Sequence, residues 1–450
     1  MNERAQQCFD ELRQTRAHPA VVDWLQHTVD EADDHHCHQI KPLRVGRELG
    51  IADTDVVCAF LFATRLGIVD MRFDIHCPSC LGQPAFHRHL MGLPDRSHCP
   101  LCALDVTLSL EEQVEVSFTV NPDVRPIDPD RWTEQSWPAD RDHFFQRLTR
   151  DERLPAMGMA FETADTTAEA RLPPGDYQLQ VPGFHEQRLP VTVAGEPTED
   201  VQACRVAIDP EGRFDRDHLR LRPGPVRLTV HSEYGVGRSG CQLIATTPPT
   251  DWLSAAALTM WQDFRDLFPG EYLSPDQSFA LRNITLLFTD IKGSTEMYEA
   301  LGDARAYGVV QAHFHTMTEI IRAHRGGVVK TIGDAVMAAF PVNADAVSAA
   351  LALQRAFPGS DAPLDQVLVK IGLHRGPTIA VTSNRALDYF GRTVNQAARV
   401  QGAAEASEVL VTEPVLDDPA VTERLVADGR TPHPRRVDLK GIGTLTVHAL

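Results

Sequence analysis

Two aspartates close apolar, β-rich runs. Asp290 follows Ile284-Thr285-Leu286-Leu287-Phe288-Thr289, and Asp334 lies in Gly333-Asp334 between Val328-Val329-Lys330-Thr331-Ile332 and Ala335-Val336-Met337-Ala338-Ala339-Phe340. The first run stops where Lys292-Gly293-Ser294 begins a loop, so its carboxylate crowns a strand. Gly326-Gly327 opens the second run and Gly333-Asp334 reads as a tight hairpin turn. With the first strand beside that hairpin, the two carboxylates converge at one sheet edge. They can then hold a divalent cation through few protein oxygens plus phosphates. The backbone N–H groups of Ile291-Lys292-Gly293-Ser294-Thr295, ahead of a helix, can cradle a phosphate. A lone Gly-Asp turn is more often an ordinary hairpin; the coincidence of these signals points to metal and phosphate chemistry.

A third segment adds a cation. Thr393 to Glu405 suits an amphipathic helix with Val394, Ala397, Ala398 and Val400 on its apolar side, and the i, i+4 spacing puts Asn395 and Arg399 on one face. An arginine there can donate to a phosphate in a fork. His374, in Ile371-Gly372-Leu373-His374-Arg375-Gly376, reads as a structural histidine at a strand end rather than a general base.

These segments, with Leu387-Asp388-Tyr389-Phe390-Gly391-Arg392-Thr393-Val394-Asn395, resemble the class III adenylate/guanylate cyclases over roughly residues 283–450. The resemblance implies that Asp290 and Asp334 bind two Mg²⁺ or Mn²⁺ per site, with the Ile291 carbonyl joining the metal shell. It implies substrate contacts at Gly293, Ser294 and Thr295, and an adenine-reading pair, Lys330 and Asp388. Asn395 and Arg399 would act at the transition state, and Lys440 in Leu439-Lys440-Gly441 would bind phosphate. The implied reaction is attack of the ribose 3′-hydroxyl of ATP on its α-phosphate, giving 3′,5′-cyclic AMP and pyrophosphate. A lysine donor and a carboxylate acceptor match the adenine edge, whereas guanine has the opposite pattern. Guanylate cyclase activity is the alternative chemistry, and a nucleotide-binding sensor with a DNA-binding N-terminal module is the non-enzymatic alternative. In the resembled family each site is shared between subunits, so a homodimer is implied. The family often has Phe where Ser294 stands.

The elements that position these residues read as α+β. The strand at 284–290, helix at about 304–324, hairpin at 328–340, helix at about 344–357 and strand at 367–373 form the βαββαβ order of a ferredoxin-like catalytic domain over 283–450. Four segments precede it. Residues 1–75 read as a winged-helix-like helical module, with Leu43–Ile51, Asp53–Leu66 and the strand Ile68–Phe73. The second helix opens with Asp53 and Asp55 and lacks a basic face, which favours packing over DNA binding. The cluster His35-His36-Cys37-His38 reads as a polar loop.

Residues 76–111 hold Cys77-Pro78-Ser79-Cys80 and Cys99-Pro100-Leu101-Cys102 with residues 81–98 between. Two such knuckles can close a tetrahedral thiolate shell, so a zinc ribbon with one structural Zn²⁺ per chain is expected on Cys77, Cys80, Cys99 and Cys102. Residues 112–247 alternate in short β segments between Pro/Gly turns and read as an antiparallel β domain. In 248–282, Pro248-Pro249-Thr250-Asp251 caps an expected linker helix from Trp252 to Phe268, placed to relay a change in the N-terminal region, brought about by an unknown regulatory ligand or protein, to the dimer interface.

A formal net charge of −19 disfavours non-specific nucleic-acid binding. Apolar runs such as Val56–Ala63 fall well short of the roughly 20 residues that span a bilayer. With no signal-peptide pattern in Met1–Gln7, the expected address is the cytoplasm, away from membranes.

Overall fold

A computed structural model describes residues 3–79, 81–99, 104–127, 156–160, 164–181, 187–232, 239–247, 249–357 and 368–450. The chain opens with α1 (Glu3–Leu12), α2 (Pro19–Glu31), α3 (Pro42–Leu49) and α4 (Asp53–Arg65). Proline at the first position starts α2 and α3, and Gly50 ends α3 in the left-handed region at φ 66°. The apolar run of α4 is buried from Val56 to Leu61, and Asp55 and Arg65 are its exposed residues. It packs as a core helix along that run.

Next come β1 (Val69–Ile75), β2 (Ala85–His87), β3 (Arg96–Cys99), β4 (Leu104–Thr107) and β5 (Val114–Val120). β1 pairs antiparallel with β5 from Val69↔Val120 to Ile75↔Val114, and with β2 on its other edge. The stretch 112–120, grouped by its pattern with the later β segments, therefore belongs with the helical module, because its partner strand lies there. β3 and β4 form a hairpin, and Cys77 and Cys99 are buried against one another's surroundings with Leu104. Cys80 and Cys102 lie outside the described residues.

The second β region comprises β6 (Ala156–Ala160), β7 (Asp165–Leu172), β8 (Gly175–Gln180), β9 (Arg188–Val193), β10 (Gln202–Ile208), β11 (Leu219–Leu221), β12 (Gly224–Ser232) and β13 (Ser239–Ala245). They form two sheets, β10-β12-β7 and β11-β9-β8-β13-β6, around an apolar core of their own. The expected antiparallel domain is in fact mixed: β10 runs parallel to β12, and β11 parallel to β9. Alternation reports which face is buried, not strand direction.

The linker holds two short helices, α5 (Ala255–Thr259) and α6 (Gln262–Leu267), in place of one continuous helix. Ser254, not Asp251, caps α5, its hydroxyl accepting from Ala257 N at 3.1 Å. Asp251 is instead buried between cations of the helical module, with Arg44 Nη2 at 2.5 Å and Lys41 Nζ at 3.7 Å.

The last region contains β14 (Phe279–Lys292), α7 (Ser294–Leu301), α8 (Asp303–Ala323), β15 (Gly327–Ile332), β16 (Ala335–Phe340), α9 (Asn343–Ala356), β17 (Leu368–Ser383), β18 (Ala386–Phe390), α10 (Arg392–Gly402), β19 (Val409–Thr412), β20 (His433–Leu439) and β21 (Gly443–Ala449). Its sheet runs β15-β16-β14-β17-β19-β21-β20, with β18 also on β17. The first four strands carry the expected βαββαβ connection. Side-chain alternation splits the sheet into two buried faces. Leu287, Ala338 and Ile371 meet α8 and α9, while Leu286, Phe288 and Met337 join an apolar cluster continuous with the linker and with α1 to α4. That face of the C-terminal sheet is packed by α10 and the linker, and the linker makes it continuous with the apolar cluster of α1 to α4.

Candidate active site

β14 and β16 pair from Thr285↔Phe340 to Thr289↔Val336, which brings the end of one strand to the turn before the other. Val336 N donates to the buried Thr289 Oγ1 at 3.2 Å and fixes that junction. Asp290 and Asp334 stand there together. Burial pushes the Asp290 carboxyl up and the Asp334 carboxylate pushes it further, while Lys370 and Gln401 draw it partly back. Asp334 Oδ2 is buried with no hydrogen-bond partner among the described residues. Two facing carboxylates, one with an orphaned oxygen, fit a divalent cation: each oxygen is a hard donor and the cation removes their repulsion. Ile291 is buried beside them at 4% exposure. Lys370, opposite Asp290 in the β14–β17 register, was not visible as a site neighbour in sequence, since only strand register brings it there.

Gly293 adopts φ 75°, a left-handed conformation that turns the chain from β14 into α7, and its carbonyl accepts from Met297 N. The loop therefore enters a helix at Ser294 as expected; the side chains of Ser294 and Thr295 lie outside the described residues.

Lys330 on β15 and Asp388 on β18, far apart in sequence, meet at 2.7 Å between Nζ and Oδ2. Asp388 is buried, and its Oδ1 accepts from Tyr389 N at 2.8 Å. The Lys330 ammonium also lies 5.5 Å from the Phe390 ring centroid. One donor and one acceptor are thus held side by side next to an exposed aromatic ring.

Asn395 and Arg399 occupy successive turns of α10 and are both exposed. That helix lies against β17 at Gly372, where an added Cβ would come within 2.2 Å of Gln401 N. Only glycine permits this approach. Lys440 is exposed in the turn between β20 and β21. Among the described residues, no hydrogen bond joins Asn395, Arg399 or Lys440 to the two aspartates or to the Lys330–Asp388 pair. His374 bonds Thr412 Oγ1 through Nδ1 at 2.8 Å, and burial pushes it down to about 4, so it is a neutral structural residue at neutral pH.

In the N-terminal module, Cys37 and His38 of the expected polar loop are buried. Asp33, His35 and His36 there bring ligand atoms within 4.8 Å of one another. No helix among the described residues is long and apolar enough to cross a membrane.

Residues 1–245 match the family of unknown function DUF5939, and residues 277–449 match the adenylate and guanylate cyclase catalytic domain. An adenylate cyclase of Mycosarcoma maydis is 28% identical over 181 residues, covering 34% of this chain and 7% of that protein. One of Anabaena cylindrica is 32% identical over 152 residues, 30% of each chain. Guanylate cyclase 2G of Rattus norvegicus is 26% identical over 198 residues, 41% of this chain and 18% of that protein. The chain thus spans between 7% and 30% of the length of these relatives. Among solved structures, the adenylyl cyclase CyaB from P. aeruginosa aligns over 39% of this chain and 96% of its own, at 21% identity and a TM-score of 0.33. The guanylate cyclase domain of RhGC from Catenaria anguillulae, in complex with GTP, aligns over 38% and 96%, at 19% identity and 0.33. The chain belongs to the DUF5939 family over its N-terminal part and carries a class III adenylate and guanylate cyclase catalytic domain at its C-terminus.

Proposed function

We propose that this protein is an adenylate cyclase that converts ATP to 3′,5′-cyclic AMP and pyrophosphate under control of its N-terminal region. The observation that carries the choice of ATP is the Lys330–Asp388 pair, 2.7 Å apart. Lys330 donates to a ring nitrogen of adenine and Asp388 accepts from its exocyclic amine; guanine would leave both unsatisfied, at about 1–3 kcal/mol per group. Asp290, Asp334 and the Ile291 carbonyl would hold two Mg²⁺ or Mn²⁺, which when bound acidify the ribose 3′-hydroxyl and neutralise the triphosphate. The 291–295 backbone cradles phosphate oxygens, Arg399 and Lys440 stabilise charge on the α-phosphate and leaving pyrophosphate, and Asn395 orients the ribose.

Class III cyclases bind nucleotide and typically dimerise. In our reading Asp290 and Asp334 of one subunit serve a site completed by Lys330, Asp388, Asn395, Arg399 and Lys440 of its partner. The exposure of Asn395, Arg399 and Lys440 and of apolar Ile332, Ile379 and Phe390 near the two half-sites supports this reading. Two inactive chains, Asp290→Ala/Asp334→Ala and Asn395→Ala, should regain cyclic AMP synthesis when mixed. An inactive mixture of folded chains would argue against shared sites. A structural Zn²⁺ on Cys77, Cys80, Cys99 and Cys102 remains our reading of the ribbon, supported by the joint burial of Cys77 and Cys99; metal analysis should give one Zn²⁺ per chain.

A further inference from the structure

The linker helix α6 grips both strands that carry the candidate base-reading pair. On the β15 side, Gln262 N donates to Gly326 O at 3.0 Å, and Gln262 Oε1 accepts from Val328 N at 2.7 Å, two residues before Lys330. Backbone touches backbone here, since a Cβ on Gly327 would lie 2.4 Å from Met260 O. On the β18 side, the Arg265 guanidinium donates to Leu387 O at 3.3 Å and to Tyr389 Oη at 3.4 Å, flanking Asp388, and lies 5.7 Å from the Tyr389 ring centroid. Its Nε donates to Thr259 O at 2.9 Å, so the same side chain closes the linker on itself.

The helix is held from the other side by the N-terminal module. Arg16 pairs with Asp263 at 2.7 Å, and Asp263 also faces Arg322 of α8 at 3.1 Å. Met260 and Phe264 are buried in the apolar cluster that includes α1 to α4. The linker helix α6 is thus in contact with the N-terminal module on one side and with β15 and β18 on the other. Neither aspartate of the metal pair makes a described hydrogen bond with α6.

We propose that Arg265 and Gln262 are positioning residues that set the spacing of Lys330 and Asp388, so that the N-terminal region acts on purine recognition. This rests on the reading of Lys330 and Asp388 as the base-reading pair. Two groups that bond each other at 2.7 Å must part to admit a base, and the gap they open decides which purine edge fits. Tyr389 is 1% exposed, so losing the guanidinium takes a donor from its hydroxyl and from the Leu387 carbonyl, on either side of Asp388, while β18 stays paired with β17.

The test is kcat/KM for ATP and for GTP in the full chain. Arg265→Ala should lower the ATP:GTP ratio about tenfold, mainly through KM for ATP. Arg265→Lys, which keeps the charge over the ring, should recover part of it, and Tyr389→Phe, which removes only the hydroxyl, should lower the ratio less. The Lys330→Glu/Asp388→Cys double variant is the control and should reverse the preference. If the control shifts the ratio while Arg265→Ala and Tyr389→Phe lower both substrates equally or not at all, the positioning role is wrong. A control that leaves the ratio unchanged would sink the base-pair reading, and this inference with it. If Arg265→Ala fails to fold, the ratios of Arg265→Lys and Tyr389→Phe decide: no change in either overturns the proposal.

Discussion

Two groups of carboxylates in the molecule are held in opposite ways. Among the described residues of the N-terminal module and linker, every buried carboxylate faces a cation: Asp251 faces Arg44 and Lys41, Glu115 lies 2.9 Å from Lys41 and 3.0 Å from His76, and Asp74 lies 3.0 Å from Arg72. Burial draws the Asp74 carboxyl up, but Arg72 and the Ser117 hydroxyl outweigh it and hold it below its usual range. At the C-terminal sheet edge two carboxylates face each other, Asp290 is pushed up and Asp334 keeps an orphaned oxygen. Charges paired with the opposite sign hold a fold; charges of like sign left facing one another are a site that something else completes.

The sharpest way to break that contrast is to neutralise one charge on each side. Asp334→Asn should lower kcat at least about a hundredfold, the scale expected when a metal contact to the reacting phosphate is lost. Its melting temperature should stay level or rise, because a repulsion is removed. Asp251→Asn should do the reverse, destabilising the chain by about 3 kcal/mol in denaturant melts because the half-buried Lys41 and Arg44 lose the buried carboxylate on which they converge. If Asp334→Asn proves the more destabilising of the two, the contrast fails.

Ligand linkage gives a smaller effect. Mg²⁺ or Mn²⁺ at about a hundred times its Kd should stabilise the wild type by about 2.7 kcal/mol, and Asp334→Asn should abolish the gain in thermal melts. Asp290 carries the pH dependence. Its folded pKa lies above its unfolded value, so between the two the metal-free folded chain holds more protons and loses stability as pH rises. The metal-induced gain should therefore shrink as pH falls and Asp290 protonates.

His374 should give the smallest signal. Its folded pKa of about 4 lies below the unfolded value near 6.5, so the unfolded chain binds the extra proton. Stability should rise with pH between about 4 and 6.5, and His374→Gln should flatten that slope in urea melts.

The same contrast governs what could be read from sequence. The hairpin at Gly333-Asp334, α8 and α9 were legible because turn chemistry and helical periodicity are local. The sequence pattern places the strands β14 and β17 at 284–290 and 367–373, yet β14 crosses a bulge after Leu281 and β17 runs on to Ser383. The pairing of β1 with β5 joins segments far apart in sequence, and no local pattern encodes it. The linker reads as one helix because Trp252 to Phe268 is helix-compatible throughout. Trp261 instead takes ψ 136°, which releases Gln262 to reach Gly326. At the site, the residue types of Lys330 and Asp388 were legible, whereas the flanking anchor Arg265 and the neighbour Lys370 depend on packing and register.

The most direct test places equimolar ATP and GTP with the purified chain and Mn²⁺ in one vessel and resolves the cyclic products. The Lys330–Asp388 geometry predicts cyclic AMP in clear excess. Cyclic GMP in excess would contradict it.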